Sequence, residues 1–110
     1  MMEVATDLEQ IVIWYLDKHN IEYQFQSALM GGWYQLGGAV CDFLFPDRLL
    51  AWRVFGEYWH TGVEIEAHDK IQREQLTSEG WTVVDLRQDD LENRLTLTMR
   101  KALLGEEMLR

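Results

Sequence analysis

One stretch of the chain decides the fold: residues 38–60, GAVCDFLFPDRLLAWRVFGEYWH. Two apolar segments, residues 39–45 and 49–55, flank a short turn that contains the chain's single proline, a pattern typical of a β-hairpin. Gly56 then permits a sharp turn of the backbone, so that residues 57–60 come to the same region. The stretch predicts a hairpin with polar residues gathered at one end.

Asp42 interrupts the first apolar segment. A carboxylate between Cys41 and Phe43 costs several kcal/mol to desolvate unless a cation pairs with it. Two partners suit the position, a metal ion or the guanidinium of Arg53 on the second strand, and the local sequence leaves both open. Either way, an otherwise apolar hairpin carries a polar site.

Helices and further strands are predicted around the hairpin. Thr6 and Glu9 have the spacing of a capping box and open a first helix that ends near His19. The remaining elements are a strand at 21–26, a helix at 67–78 with Ile71 and Leu76 inward, a strand at 81–86, and a helix at about 91–104 that Asp89 and Asp90 open. The order helix, three strands, helix, strand, helix predicts an α/β (α+β) fold, a small mixed four-stranded sheet flanked by helices. Four tryptophans are expected to pack in the core or hairpin: Trp14, Trp33, Trp52 and Trp81.

Composition limits the class of protein. At 110 residues we expect a single domain, 1–110. Cys41 is the only cysteine, which excludes an internal disulfide and a Cys-rich zinc site. No apolar run approaches membrane-spanning length and the N-terminus is acidic, so we expect a cytoplasmic protein with no membrane partner.

The charge balance opposes a simple nucleic-acid-binding protein. The formal net charge is −9, with three basic against eight acidic residues in 1–60 and seven against eleven in 61–110. Proteins that bind DNA usually neutralise phosphates with a surplus of Lys and Arg. Clustered carboxylates that bind divalent cations also lower the net charge, so the balance does not exclude a metal-dependent enzyme.

The hairpin and its surroundings resemble the restriction-endonuclease-like nucleases of the PD-(D/E)XK superfamily. The resemblance rests on Asp42 in DFLF, on the strand that leads to GEYWH and His60, and on Asp69 before a helix and GWTVV. Within that superfamily the chain is most similar to the very-short-patch repair endonucleases and their relatives among phage nucleases and homing endonucleases. An acid early in the first helix, here Glu9, belongs to the same pattern. The resemblance covers about residues 9–91.

The resemblance implies a metal-dependent DNA endonuclease of a bacterium or phage-infected cell, using Mg²⁺ or Mn²⁺. Asp42 would bind the metal, and magnesium needs only one or two carboxylates because it keeps several waters. His60 would act as general base or acid and Asp69 would orient it. Glu9 would organise a water or the histidine.

Three cations are candidates for contacts with the substrate phosphate: Arg53, Lys70 and Arg73. The superfamily usually places an acid and then a lysine, one residue apart, on the second hairpin strand, whereas this chain has Arg53 and Phe55. The repair-endonuclease group dispenses with that pair and uses histidine. The departure leaves an alternative open: a catalytically inactive nuclease fold that serves as a binding or assembly module.

Structural roles compete with the catalytic ones. Capping explains Glu9, a helix N-terminus favours Asp69, and His60 is also suited to a hydrogen-bonded position in the core. A third and weaker function is an acidic inhibitor that mimics DNA and binds a basic protein. Because basic residues are few, we also expect a homodimer or a partner protein to help hold DNA.

Overall fold

The structure is a computed structural model that describes residues 6–25, 35–36, 39–40, 42–56 and 63–108. Its elements, in chain order, are helix α1 Asp7–Lys18, strands β1 Gln24–Phe25, β2 Gln35–Leu36, β3 Ala39–Val40 and β4 Phe43–Phe45, a 3-10 turn Pro46–Arg48, strand β5 Leu50–Phe55, helix α2 Val63–Ser78, strand β6 Thr82–Arg87, and helices α3 Gln88–Asn93 and α4 Leu95–Leu103. None of the helices in this described part is long and apolar enough to cross a membrane.

Four strands form a mixed sheet in the order β1-β4-β5-β6. Strand β4 lies antiparallel to β1 and β5, which makes the predicted hairpin, and β5 runs parallel to β6 from Leu50–Thr82 to Phe55–Arg87. Helix α2 connects β5 to β6, as a parallel pair requires a crossover. The predicted α/β class with a four-stranded mixed sheet is confirmed.

The strand predicted over residues 39–45 is instead two strands that separate at Asp42. Strand β3 pairs with β2 in a two-stranded ribbon, while β4 joins the main sheet. At the bend the Asp42 N–H donates to the Trp52 carbonyl at 3.1 Å, and Asp42 Oδ2 accepts from the Val54 N–H at 2.7 Å. The Asp42 side chain therefore binds the β5 backbone at the point where β4 begins.

Helices cover both faces of the sheet because alternate strand residues point to opposite sides. On one face Phe43, Trp52 and Val84 pack against α1, α3 and α4, and the Trp52 indole N–H donates to the Ala102 carbonyl at 3.1 Å. On the other face a smaller cluster meets α2: Leu44, Ala51, Leu76 and Val83. The two clusters pack β4, β5 and β6 between helices on both faces of the sheet.

Several details of the helices differ from the predictions. Helix α2 begins at Val63, and Ile71, predicted to face inward, is 61% exposed. The predicted last helix is two helices that meet at Arg94. Trp14 is 56% exposed, with the Lys18 ammonium 4.8 Å from its ring centroid, while Trp33 lies outside the described residues.

Candidate active site

A cleft of about 410 Å³ lies at one end of the sheet, where β4 begins and β5 and β6 end. We call it the strand-end cleft. It is lined by the first turn of α1, Asp42, Val54 and Gly56 of the hairpin, and Gln88 and Glu92 of α3. The sheet and two helices therefore bring chemically active side chains from distant parts of the chain to one place.

The capping box of α1 positions Glu9. The Thr6 hydroxyl accepts from the Glu9 N–H at 3.2 Å, and Glu9 Oε1 accepts from the Thr6 N–H at 2.9 Å. Capping, the structural role predicted for Glu9, is thus confirmed. The same carboxylate also hydrogen-bonds with Asp42, so the cap holds Glu9 against the other acid. The structure therefore brings together two of the predicted site residues.

The environment of Asp42 favours its protonated form. Burial raises the pKa of the Asp42 carboxyl from its ordinary 3.8 to about 8, and the hydrogen bond and negative charge of Glu9 add to this effect. The Val54 N–H and the Arg53 charge act in the opposite direction on that pKa. At neutral pH the Asp42 carboxyl is therefore mostly protonated in the metal-free protein.

This donor set suits a hard divalent cation. The Asp42 carboxyl can exchange its proton for a metal ion in the cleft that it lines with Glu9, and magnesium prefers oxygen ligands. No group of three or more His, Cys, Asp or Glu side chains in the described part of the chain is arranged to enclose a metal. Magnesium does not require such a cage, since one or two carboxylates and several waters satisfy it.

The other two predicted catalytic residues are less fully described. His60 lies outside the described residues. The backbone of Asp69 lies within α2, well after the helix start at Val63, and its side chain is outside the described part. The prediction that Asp69 opens the helix is therefore wrong, because the helical segment begins earlier. An N-terminal position does not explain this acid.

Arg53 lies in a buried ion pair between two strands. Its Nε donates to Asp85 Oδ1 at 2.8 Å and its Nη2 donates to Asp85 Oδ2 at 3.0 Å, directly across the β5–β6 register. The residue is only 4% exposed, and its guanidinium carbon lies 5.0 Å from the Phe55 ring centroid. This placement favours a structural role for Arg53 over the predicted contact with phosphate.

Arg73 joins the same network from α2. Its Nη1 donates to Asp85 Oδ2 and its Nη2 to the Val83 carbonyl, both at 2.9 Å, and Nη2 also pairs with Glu107. Of the three cations predicted to contact phosphate, Lys70 is the exposed one. Arg53 and Arg73 instead link β5, β6 and α2.

Two residues of the strand-end cleft were not predicted. Gln88 is the first residue of α3, directly after β6, and its Nε2 lies 3.4 Å from both carboxylate oxygens of Glu92. The sequence could have indicated these two residues only through their position after the predicted strand at 81–86. Because β5 and β6 are parallel, residues that follow them meet at the same edge of the sheet.

Comparison with known proteins identifies the fold. No protein-family model matches the chain, and no curated protein matches it in sequence. A solved structure, the homing endonuclease I-Bth0305I catalytic domain, is similar to it with a TM-score of 0.68 and 24% sequence identity. The match covers 91% of this chain and 96% of that one. The chain therefore has a nuclease-like fold.

Proposed function

We propose that this protein is a metal-dependent DNA endonuclease that hydrolyses phosphodiester bonds with Mg²⁺ or Mn²⁺. The observation that carries the proposal is the Asp42–Glu9 carboxyl pair in the strand-end cleft. The pair lies on a fold shared with the catalytic domain of a homing endonuclease, which supports DNA as the substrate. The likeness to very-short-patch repair endonucleases rests on the sequence pattern of Asp42, His60 and Asp69.

Asp42 would hold the cation, with Glu9 beside it. The Val54 N–H fixes the Asp42 carboxylate, and the capping box fixes Glu9, so both oxygen donors are oriented in advance. A bound divalent cation supplies positive charge to the phosphate and lowers the pKa of its water. The backbone and the α1 cap thus do the positioning.

For proton transfer we propose His60 as general base or acid, with Asp69 to orient it. The support is the course of the chain. Strand β5 ends at Phe55, Gly56 lines the strand-end cleft, and His60 follows four residues later. Asp69 lies on α2, the next described element after β5.

A second candidate is a catalytically inactive nuclease fold that binds another molecule. The observation in its favour is the β5 strand, which has Arg53 and Phe55 where the superfamily usually has an acid and a lysine. Arg53 is bound to Asp85 in the interior, where it stabilises the sheet. Such a module would bind without Mg²⁺-dependent cleavage.

Replacement of Asp42 tests the endonuclease. We expect Asp42→Ala to abolish Mg²⁺ binding measured by calorimetry, and to lower DNA cleavage on the same samples at least about 100-fold, because the metal contributes several kcal/mol. Asp47→Ala is the matched control, since Asp47 is an exposed acid in the 3-10 turn. The control should bind and cleave like the wild type.

The other outcomes separate the two candidates. Full cleavage by Asp42→Ala would disprove the assigned site. Wild-type protein that neither binds Mg²⁺ or Mn²⁺ nor cleaves any duplex, nicked or branched DNA would instead favour the inactive module. Folding of each variant is checked by its thermal unfolding.

A further inference from the structure

We propose that a groove between α1 and the helices α3 and α4 is a subsite for an unstacked base of the substrate DNA, and that this base stacks on Trp14. The groove has a volume of about 620 Å³, and we call it the helix groove. The residues that line it include Asp7, Ile11, Trp14, Leu91, Glu92 and Leu95. The inference rests on the proposed endonuclease function and adds a contact with the substrate outside the strand-end cleft.

The helix groove adjoins the strand-end cleft. Asp7 of α1 and Glu92 of α3 line both of them. Asp7, Ile11 and Trp14 have the spacing of residues on one face of α1. Trp14 lies two helical turns beyond Asp7, about 10 Å along the helix axis, and successive nucleotides of one DNA strand rise about 3.4 Å. A strand whose scissile phosphate lies at Asp42 therefore brings a base to Trp14 within about four nucleotides.

The fold leaves much of the Trp14 ring open to a ligand. Trp14 is 56% exposed, whereas Trp52 is fully buried in the core. The Lys18 ammonium lies 4.8 Å from the centroid of the Trp14 ring. Because Lys18 is exposed as well, its side chain can turn toward the phosphate beside a stacked base. An aromatic ring with a cation nearby is a common platform for unpaired bases.

The charge of the helix groove favours the uncharged part of a nucleotide. Among the described residues that line it, the ionisable ones are two acids, Asp7 and Glu92. Acids repel a phosphate, while the faces of a base are uncharged and stack on an aromatic ring. The base is therefore the part of the substrate that suits this groove.

Stacking also supplies affinity that does not depend on cations. The chain has a net charge of −9, and Arg53 and Arg73 are held in ion pairs with Asp85. Few phosphate contacts are available to such a chain, so contacts with bases gain importance for binding DNA.

The test compares Trp14→Ala with Trp14→Phe. Loss of one stacked base should lower kcat/KM for DNA cleavage about 5- to 100-fold, mainly through a higher KM. Phenylalanine keeps a ring, so Trp14→Phe should lose less than about threefold. Stacking releases no counterions, so the slope of DNA affinity against log[salt] should be equal for Trp14→Ala and the wild type.

The matched control is Leu104→Ala, which removes another exposed apolar side chain. Leu104 is 75% exposed, and the next residue, Gly105, lies beside Thr82 at the start of β6. The control therefore changes the end of the sheet opposite the strand-end cleft and should cleave like the wild type. Thermal unfolding checks the folding of each variant. Trp14→Gln replaces Trp14→Ala if the alanine variant fails to fold, because glutamine is a good helix former without a ring.

Substrates with a single abasic nucleotide identify the stacked base. The abasic site is placed in turn at each of about four positions on either side of the mapped cleavage position. At one position the wild type should lose as much cleavage as Trp14→Ala loses on intact DNA. Trp14→Ala should lose nothing further there, because the ring and the base form a single contact.

The other outcomes would overturn the inference. One is unchanged cleavage by Trp14→Ala, and another is a loss by Trp14→Ala that is equal on every abasic substrate. A lower sedimentation mass of Trp14→Ala with unchanged cleavage would instead identify the helix groove as a contact between copies of the chain. In these cases the wild type still cleaves, so the proposed function survives. A wild type that never cleaves would overturn both.

Discussion

At Asp42, a single carboxyl group connects the stability of the protein to its proposed chemistry. The pKa of the Asp42 carboxyl is about 8 in the folded protein, whereas its ordinary value is 3.8. Between these two pH values this group therefore holds a proton in the folded state and not in the unfolded chain. The contribution of the protonated Asp42 carboxyl to the free energy of unfolding is fully present below about pH 4, and it is lost as the pH rises to about 8. The position of Asp42, the proposed metal ligand, therefore lowers the stability of the metal-free protein when its carboxyl is ionised.

We expect Asp42→Asn to remove this dependence on pH. In EDTA, the wild-type free energy of unfolding should fall between pH 5 and 8 by at most about 1.4 kcal/mol per pH unit from this group, and Asp42→Asn should lack that slope. Above pH 8 the variant should be the more stable protein. Urea unfolding at several pH values measures both, with Asp47→Asn as the control that keeps the wild-type slope. An Asp42→Asn slope equal to the wild type would show that another group titrates.

At the scale of the elements, the Arg53–Asp85–Arg73 network joins β5, β6 and α2. Removing a buried partner leaves a charge unpaired, so we expect Asp85→Ala to lower the free energy of unfolding by about 3–5 kcal/mol. Replacing the pair together, Arg53→Met with Asp85→Leu, should cost much less, because neither change leaves a buried charge alone. Urea unfolding measures both variants. Equal losses would mean that packing, not charge, makes Asp85 important.

The elements also show how far the sequence could predict the structure. The apolar runs of the sequence predicted β4, β5 and β6, because apolar residues favour buried positions. Asp42 was identified because a carboxylate within an apolar strand costs free energy to desolvate. The break of the last helix was missed because the apolar spacing continues across it, without Gly or Pro. At the junction the Arg94 guanidinium binds Asp89 and Asp90, and the Thr98 hydroxyl donates to the Asp90 carbonyl. Such contacts depend on the folded chain and leave no local signal.

The same limit applies to the candidate site. Glu9 and Asp42 were predicted from sequence, but their contact depends on α1 packing at the end of β5. Gln88 was missed because an isolated glutamine has no pattern that distinguishes it from a solvent-exposed residue. The parallel pairing of β5 and β6 places Gln88 beside the other residues of the strand-end cleft, and this pairing is known only from the structure.

For the whole molecule, electrostatics limits how DNA can be held. The chain carries a net charge of −9, and three of its arginines are engaged by the protein's own carboxylates: Arg53, Arg73 and Arg94. These cations do not serve as a broad phosphate-binding surface while they hold those pairs. Affinity for DNA should therefore depend on few phosphate contacts and on the metal.

This expectation is testable through salt. DNA affinity should fall with log[salt] at a slope of about −0.9 per phosphate contact, and we expect fewer than about four contacts for one chain. Lys70→Gln, at the exposed cation of α2, should reduce that slope by about 0.9, whereas Lys101→Gln, whose Nζ lies 4.0 Å from Glu106, should not change it. Fluorescence anisotropy between about 50 and 200 mM salt measures the slopes. A slope that requires six or more phosphate contacts would contradict the expectation that one chain makes few such contacts. Sedimentation on the same samples would then show whether a homodimer doubles the contacts.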